Sequence, residues 1–106
     1  MAYRVDIAKA AQSDVREYES YIAFRESSPD PALKWVVGLQ SMLDQIGAMP
    51  TSFRRTTRPL TSRYRQARYA SHRIIFRIDA ESQVVTVVRI YHMSRRSPRM
   101  RDLHDG

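Results

Sequence analysis

Apolar and polar residues alternate over Tyr3–Ile7 (YRVDI), the pattern of a short half-buried strand. From about Ala8 the period lengthens. Ala11, Val15, Tyr18 and Ile22 recur at steps of four, three and four, which puts them on one stripe of a helix running to about Arg25. Ser27, Ser28 and Pro29 break it. Asp30-Pro31 reads as the next helix start, because Asp caps free amides and Pro suits the first turn. Ala32, Val36, Leu39, Leu43 and Ile46 supply the buried stripe of this second helix, and Gly47 and Pro50 its stop. The short Ser-Ser-Pro link predicts an antiparallel helical hairpin. Trp35, Met42 and Met49 form a further stripe at heptad spacing, which either widens the core contact or offers a ridge to a partner.

The second half changes character. Thr51–Arg63 (TSFRRTTRPLTSR) has no period and reads as a basic loop. Tyr64–Tyr69 (YRQARY) is a strand with aromatic ends. His72–Ile78 and Val84–His92 are two longer apolar strands around an Asp79–Gln83 turn. Residues 94–106 form a polar, Arg-rich tail. The order β-α-α-β-β-β predicts a single α+β domain over residues 1–106, a small antiparallel sheet packed on an N-terminal helical hairpin, with the other sheet face open to water.

Strict alternation divides the two long strands. His72, Ile74, Phe76, Ile78, Val84, Thr86, Val88, Ile90 and His92 are expected to face the helices. Arg73, Ile75, Arg77, Val85, Val87, Arg89 and Tyr91 are expected to face out. A five-residue turn sets Arg73 roughly opposite Arg89. Like charges facing each other destabilise a sheet. The cluster of Arg73, Arg77 and Arg89 therefore points either to an external anion, a phosphate or a carboxylate, or to internal neutralisation by Asp79, Glu81 or Asp6.

Charge sharpens this. Residues 1–50 carry five basic and seven acidic groups, whereas residues 51–106 carry thirteen basic and four acidic groups. Of the eighteen basic residues sixteen are arginine, whose planar fork of donors suits phosphate and carboxylate. Nucleic acid and acidic protein are the partners this composition allows, beside the reading of a solvated basic surface. The absence of cysteine excludes disulfides and cysteine-rich zinc sites and suggests a reducing, cytoplasmic setting. No secretory signal is recognised, and no apolar run reaches the ~20 residues that span a bilayer. The three histidines lack metal-ligand spacing, and no glycine-rich phosphate loop is present, so neither metal nor cofactor is expected. His92, with Arg95 and Arg96 close behind, reads either as a general acid–base or as a strand-end histidine bonded to backbone.

The pattern resembles the RelE/ParE superfamily of toxins from bacterial toxin–antitoxin modules. The resemblance spans Tyr3 to about Arg96. It rests on Ala11, Asp14-Val15 and Tyr21-Ile22 of the first helix, Ala32–Ile46 of the second, Tyr69 with His72–Ile78, and Val88–His92 followed by Arg95. It implies a curved sheet backed by a helical hairpin, and a cognate antitoxin whose segment wraps across the domain. Operator DNA is bound only through that antitoxin, and no membrane is involved. Two activities occur among such proteins: RelE-like members cut messenger RNA on the ribosome, and ParE-like members bind DNA gyrase. If this chain is RelE-like, Arg73 falls where the scissile phosphate is stabilised, with His92 and Tyr91 as proton carriers. Arg65, Arg68, Arg77, Arg89 and Arg95 then hold RNA or another anion. The chain lacks the lysines of RelE after the helices and a tyrosine in the tail, and its His92…Arg95 ending is similar to the ParE-like branch. A basic nucleic-acid-binding domain without toxicity is a third reading.

Overall fold

In the computed structural model, which describes residues 2–56 and 63–93, the elements run β1 (Arg4–Ile7), α1 (Lys9–Glu26), α2 (Asp30–Ala48), a 3-10 turn (Pro50–Ser52), β2 (Tyr64–Tyr69), β3 (His72–Asp79) and β4 (Val84–His92). Periodicity located the helices to within a residue or two. Their ends differ in detail. Ser27 closes α1 in the left-handed conformation, where its amide meets the Ala23 and Phe24 carbonyls. Asp30 sits inside the first turn of α2 and makes no side-chain cap, since Pro29 holds the cap position. Gly47 lies within α2, two residues before its cap at Met49. It is there for close approach: a Cβ would meet Val5 Cγ2 at 2.9 Å and the Tyr3 carbonyl at 3.1 Å. The Tyr3 amide donates to the Gly47 carbonyl at 2.8 Å, joining α2 to the start of β1.

The strands lie in the order β1-β4-β3-β2. The β2-β3-β4 meander is antiparallel, as expected, but β1 joins β4 in parallel, with Arg4 opposite Val84 and Ile7 opposite Val87. The sheet is therefore mixed rather than purely antiparallel. Residues 54–56 run beside β2, through the Gln66 amide to the Arg54 carbonyl and the Thr56 amide to the Tyr64 carbonyl.

Both helices cover one face. α1 packs on β4, and α2 on β1 and β2. Between them lies a core of Ala11, Trp35, Leu39, Leu43, Ile46, Ala67, Ile74, Phe76, Val85, Val87 and Ile90. Burying a side chain such as Phe76 or Ile46 completely is worth about 1.5–3 kcal/mol, so this face dominates the stability. Trp35 belongs to the core and Met42 packs against it, but Met49 is exposed.

β4 does not keep the expected parity. Ile75 pairs with Arg89 and Phe76 with Val87, so Val88 is an extra residue, a β-bulge. Before the bulge, Val85 and Val87 point into the helix-side core. Val88 turns to the opposite face, and Ile90 returns to the core. Nor is that opposite face open to water at its centre: Tyr64, Ile75, Val88 and Tyr91 form a second buried cluster there.

Candidate functional site

The expected arginine cluster is divided by the fold. Beyond Ile7 the edge of β4 is taken over by α1, where the Ala8 amide donates to the Val87 carbonyl. Asp14, one turn and a half further along, accepts from Arg89 Nε and from one Arg89 terminal nitrogen, both at 2.9 Å, and from the Ile90 amide at 2.8 Å. The Asp14 side chain is only 7% exposed. Arg89 also stacks over Tyr91, its guanidinium carbon 4.5 Å from the ring centre. Arg89 is thus neutralised from within the chain, and by Asp14 rather than by Asp79, Glu81 or Asp6. Its register partner is Ile75, not Arg73.

Arg73 instead lies opposite Arg68 on one side and Tyr91 on the other. Alternation from Ile75 puts Arg73 and Arg77 on the far face, and alternation from Tyr64 puts Arg68 there too. Arg77 is flanked by Tyr64 and Thr86. Arg73 and Arg77 are half-buried and each has a partner, whereas Arg68 is exposed. Two guanidinium groups facing each other across neighbouring strands repel unless an anion lies between them. The far face therefore presents Arg68, Arg73 and Arg77 around an apolar centre.

Arg65 does not join them. One of its terminal nitrogens donates to the Phe53 carbonyl at 2.7 Å and reaches the Thr51 carbonyl at 3.4 Å, tying the 3-10 turn to β2. Arg95 lies outside the described residues.

His92 faces the helices. It is the register partner of His72, the two rings meeting edge-on at 5.2 Å. His72 is 3% exposed and enclosed by Tyr18 at 4.3 Å and Trp35 at 5.1 Å. Burial, together with repulsion from His92 and against the pull of Asp14, pushes the His72 imidazole down to about 4, so it is neutral at pH 7. A polar residue opening an otherwise apolar strand gives no hint in the sequence of this aromatic enclosure. The structure brings Arg73 and Tyr91 together but leaves His92 on the other side of the sheet.

Tyr69, also on the helix side, donates its hydroxyl to the Trp35 carbonyl at 2.7 Å. Burial raises its phenol above the ordinary value. Gly38 makes room, since any Cβ there would overlap the Tyr69 hydroxyl. Among the described residues no group of three or more His, Asp or Glu side chains forms a metal site. No helix among them is long and apolar enough to cross a membrane.

No curated protein matches the chain. Among solved structures it is similar to the RelBE2 toxin–antitoxin complex of Mycobacterium tuberculosis, at 22% identity and a TM-score of 0.64 over 90% of this chain and 95% of the other. It is similar to a chromosomal ParDE protein of P. aeruginosa, at 13% identity and a TM-score of 0.70 over 86% and 96%. It is also similar to free E. coli RelE, at 18% identity and a TM-score of 0.57 over 87% and 84%. These likenesses establish the fold. The profile of the family described as ParE toxin of the type II toxin–antitoxin system, parDE, matches residues 5–97, a span that includes both helices and β2 to β4. The chain belongs to the ParE toxin family of type II toxin–antitoxin systems.

Proposed function

We propose that this toxin arrests growth by binding DNA gyrase and is neutralised by a cognate antitoxin. The observation that carries the choice of target is the separation of His92 from Arg73. RNA cleavage through the 2′-hydroxyl needs a proton acceptor and a proton donor beside the phosphate. Arginine stabilises a phosphorane but does not titrate in the working range. The imidazole that would carry protons lies against α1, across the sheet from Arg68, Arg73 and Arg77. A basic face without that imidazole suits binding better than catalysis. The antitoxin follows from the family and from the Mycobacterium tuberculosis relative, which was solved as a toxin–antitoxin complex.

The test is induction in cells without antitoxin, together with a supercoiling reaction containing purified toxin. Blocked supercoiling, filamentous cells and DNA-damage signalling are expected; full supercoiling at excess toxin would remove the reading.

One observation favours ribosome-dependent RNA cleavage as the second reading: Arg68 and Arg73 are opposed across β2 and β3, a geometry that suits a bridging phosphate. Cleavage of ribosome-bound message that disappears in Arg73→Ala, with supercoiling intact, is the result that would establish it.

A further inference from the structure

A cavity of about 370 Å³ opens on the helix side at the end of β4, away from the far-face arginines. Glu17, Tyr18 and Tyr21 form one wall, on the face of α1 that begins with Asp14. His72 and His92 form the other, beside Ile90. In a chain of net charge +7, the described residues of this lining include two carboxylates and no lysine or arginine.

Three properties of the lining select a ligand. Asp14 is satisfied by Arg89 and the Ile90 amide, but Glu17 makes no ion pair among the described residues. Tyr18 and Tyr21 line the cavity as neighbouring rings, 6.1 Å apart. His72, almost wholly buried in the wall, leaves its Nδ1 without a hydrogen-bond partner, and an unmade bond on a buried polar atom is costly. As a neutral imidazole it does not repel a cation. An anion would be opposed by Glu17. A metal is not favoured either, because the described residues do not supply a ligand group of three.

We propose that this cavity receives an organic cation, the guanidinium of an arginine side chain presented by a protein partner. Carboxylate and aromatic rings together are the surroundings that a flat, weakly hydrated guanidinium prefers over an ammonium. The fold uses the same pairing elsewhere: Arg89 lies over Tyr91 at 4.5 Å, and Arg25, held to Glu26, lies over Tyr21 at 5.6 Å. Glu17 supplies the charge, the tyrosines the stacking surface, and the histidines the opposite wall. The inference stands whether the toxin acts on gyrase or on the ribosome.

The experiment is a titration of the full chain with Nα-acetyl-arginine amide, followed through the side-chain NMR signals of His72 and His92. Nα-acetyl-citrulline amide serves as the neutral counterpart and spermidine as the free polyamine. Saturable shifts with the arginine amide, absent with citrulline, are expected. Glu17→Gln, on the exposed side of α1, is expected to bind about three- to tenfold more weakly, as is Tyr21→Leu. Non-saturating shifts, an equal response to citrulline, or unchanged binding by both variants overturns the proposal. Tighter binding of spermidine than of the arginine amide overturns the assignment to a protein side chain.

Discussion

Asp14 of α1 and Arg89 of β4 stand 75 positions apart and meet in a two-pronged ion pair, both contacts 2.9 Å long. The same carboxylate accepts the Ile90 amide, so it also ends the exposed edge of β4 where β1 stops. One acidic side chain thereby docks the first helix, closes a sheet edge and takes Arg89 out of the basic face.

Asp14→Ala leaves a half-buried guanidinium and a strand amide without their acceptor. A loss of about 2–4 kcal/mol is expected in urea unfolding. The double variant with Arg89→Met is expected to recover part of it. A loss below about 1 kcal/mol would place this pair with the weak surface ion pairs.

His72 predicts the direction of acid sensitivity. Its folded value, about 4, lies below the ordinary 6.5, so the unfolded chain takes the proton first. Stability is complete above pH 6.5 and falls as the pH drops toward 4. The shift corresponds to about 3 kcal/mol across that window. Unfolding measured at pH 7, 5.5 and 4 should show this slope in the parent chain and a flatter one in His72→Leu. Parallel slopes would assign the acid sensitivity to other groups.

Gly38 and Tyr69 should behave as one unit. Gly38→Ala drives a methyl group into the Tyr69 hydroxyl and is expected to destabilise by about 1–3 kcal/mol, as overpacking does. Tyr69→Phe loses the bond to the Trp35 carbonyl, about 1 kcal/mol. Because the phenylalanine lacks the clashing oxygen, the double variant should lose less than the two single losses together. Strict additivity in thermal unfolding would contradict this.

Arg65 and Arg68 are neighbours on one strand but should separate cleanly. Arg65→Met removes the tie to the Phe53 carbonyl, and a loss of about 1 kcal/mol or more is expected, with little change in anion binding. Arg68→Ala, on an exposed far-face position, should leave stability within about 0.5 kcal/mol and weaken binding of a polyanion such as heparin. Equal effects of the two on heparin affinity would return Arg65 to the anion-binding face.

Much of this architecture was legible in the sequence because local signals dominate it. The helix stripes, the Ser-Ser-Pro break and the three meander strands stand in the residue pattern itself. Three features had no local signature. Val88 sits in the run Val84-Val85-Thr86-Val87-Val88, where one extra apolar residue breaks no visible alternation, yet it reverses the faces assigned to the first half of β4. Asp14 carries no sign in the sequence of a distant partner, and only the tertiary fold shows that Arg89 is its partner. The parallel pairing of β1 was hidden because its alternation is the same on either edge of a sheet. Those three account for the division of the expected arginine cluster.

The parallel seam between β1 and β4 joins the beginning of the chain to its last described strand, Arg4 beside Val84. As the ribosome delivers the protein, β1 must wait for β4 before it has a strand to pair with, and Asp14 of α1 waits equally for Arg89. Contacts so distant in sequence slow folding and make it concerted. A nascent chain stalled before β4 has neither its seam nor its docked first helix. The mature surface of this toxin thus comes into being late in its own synthesis.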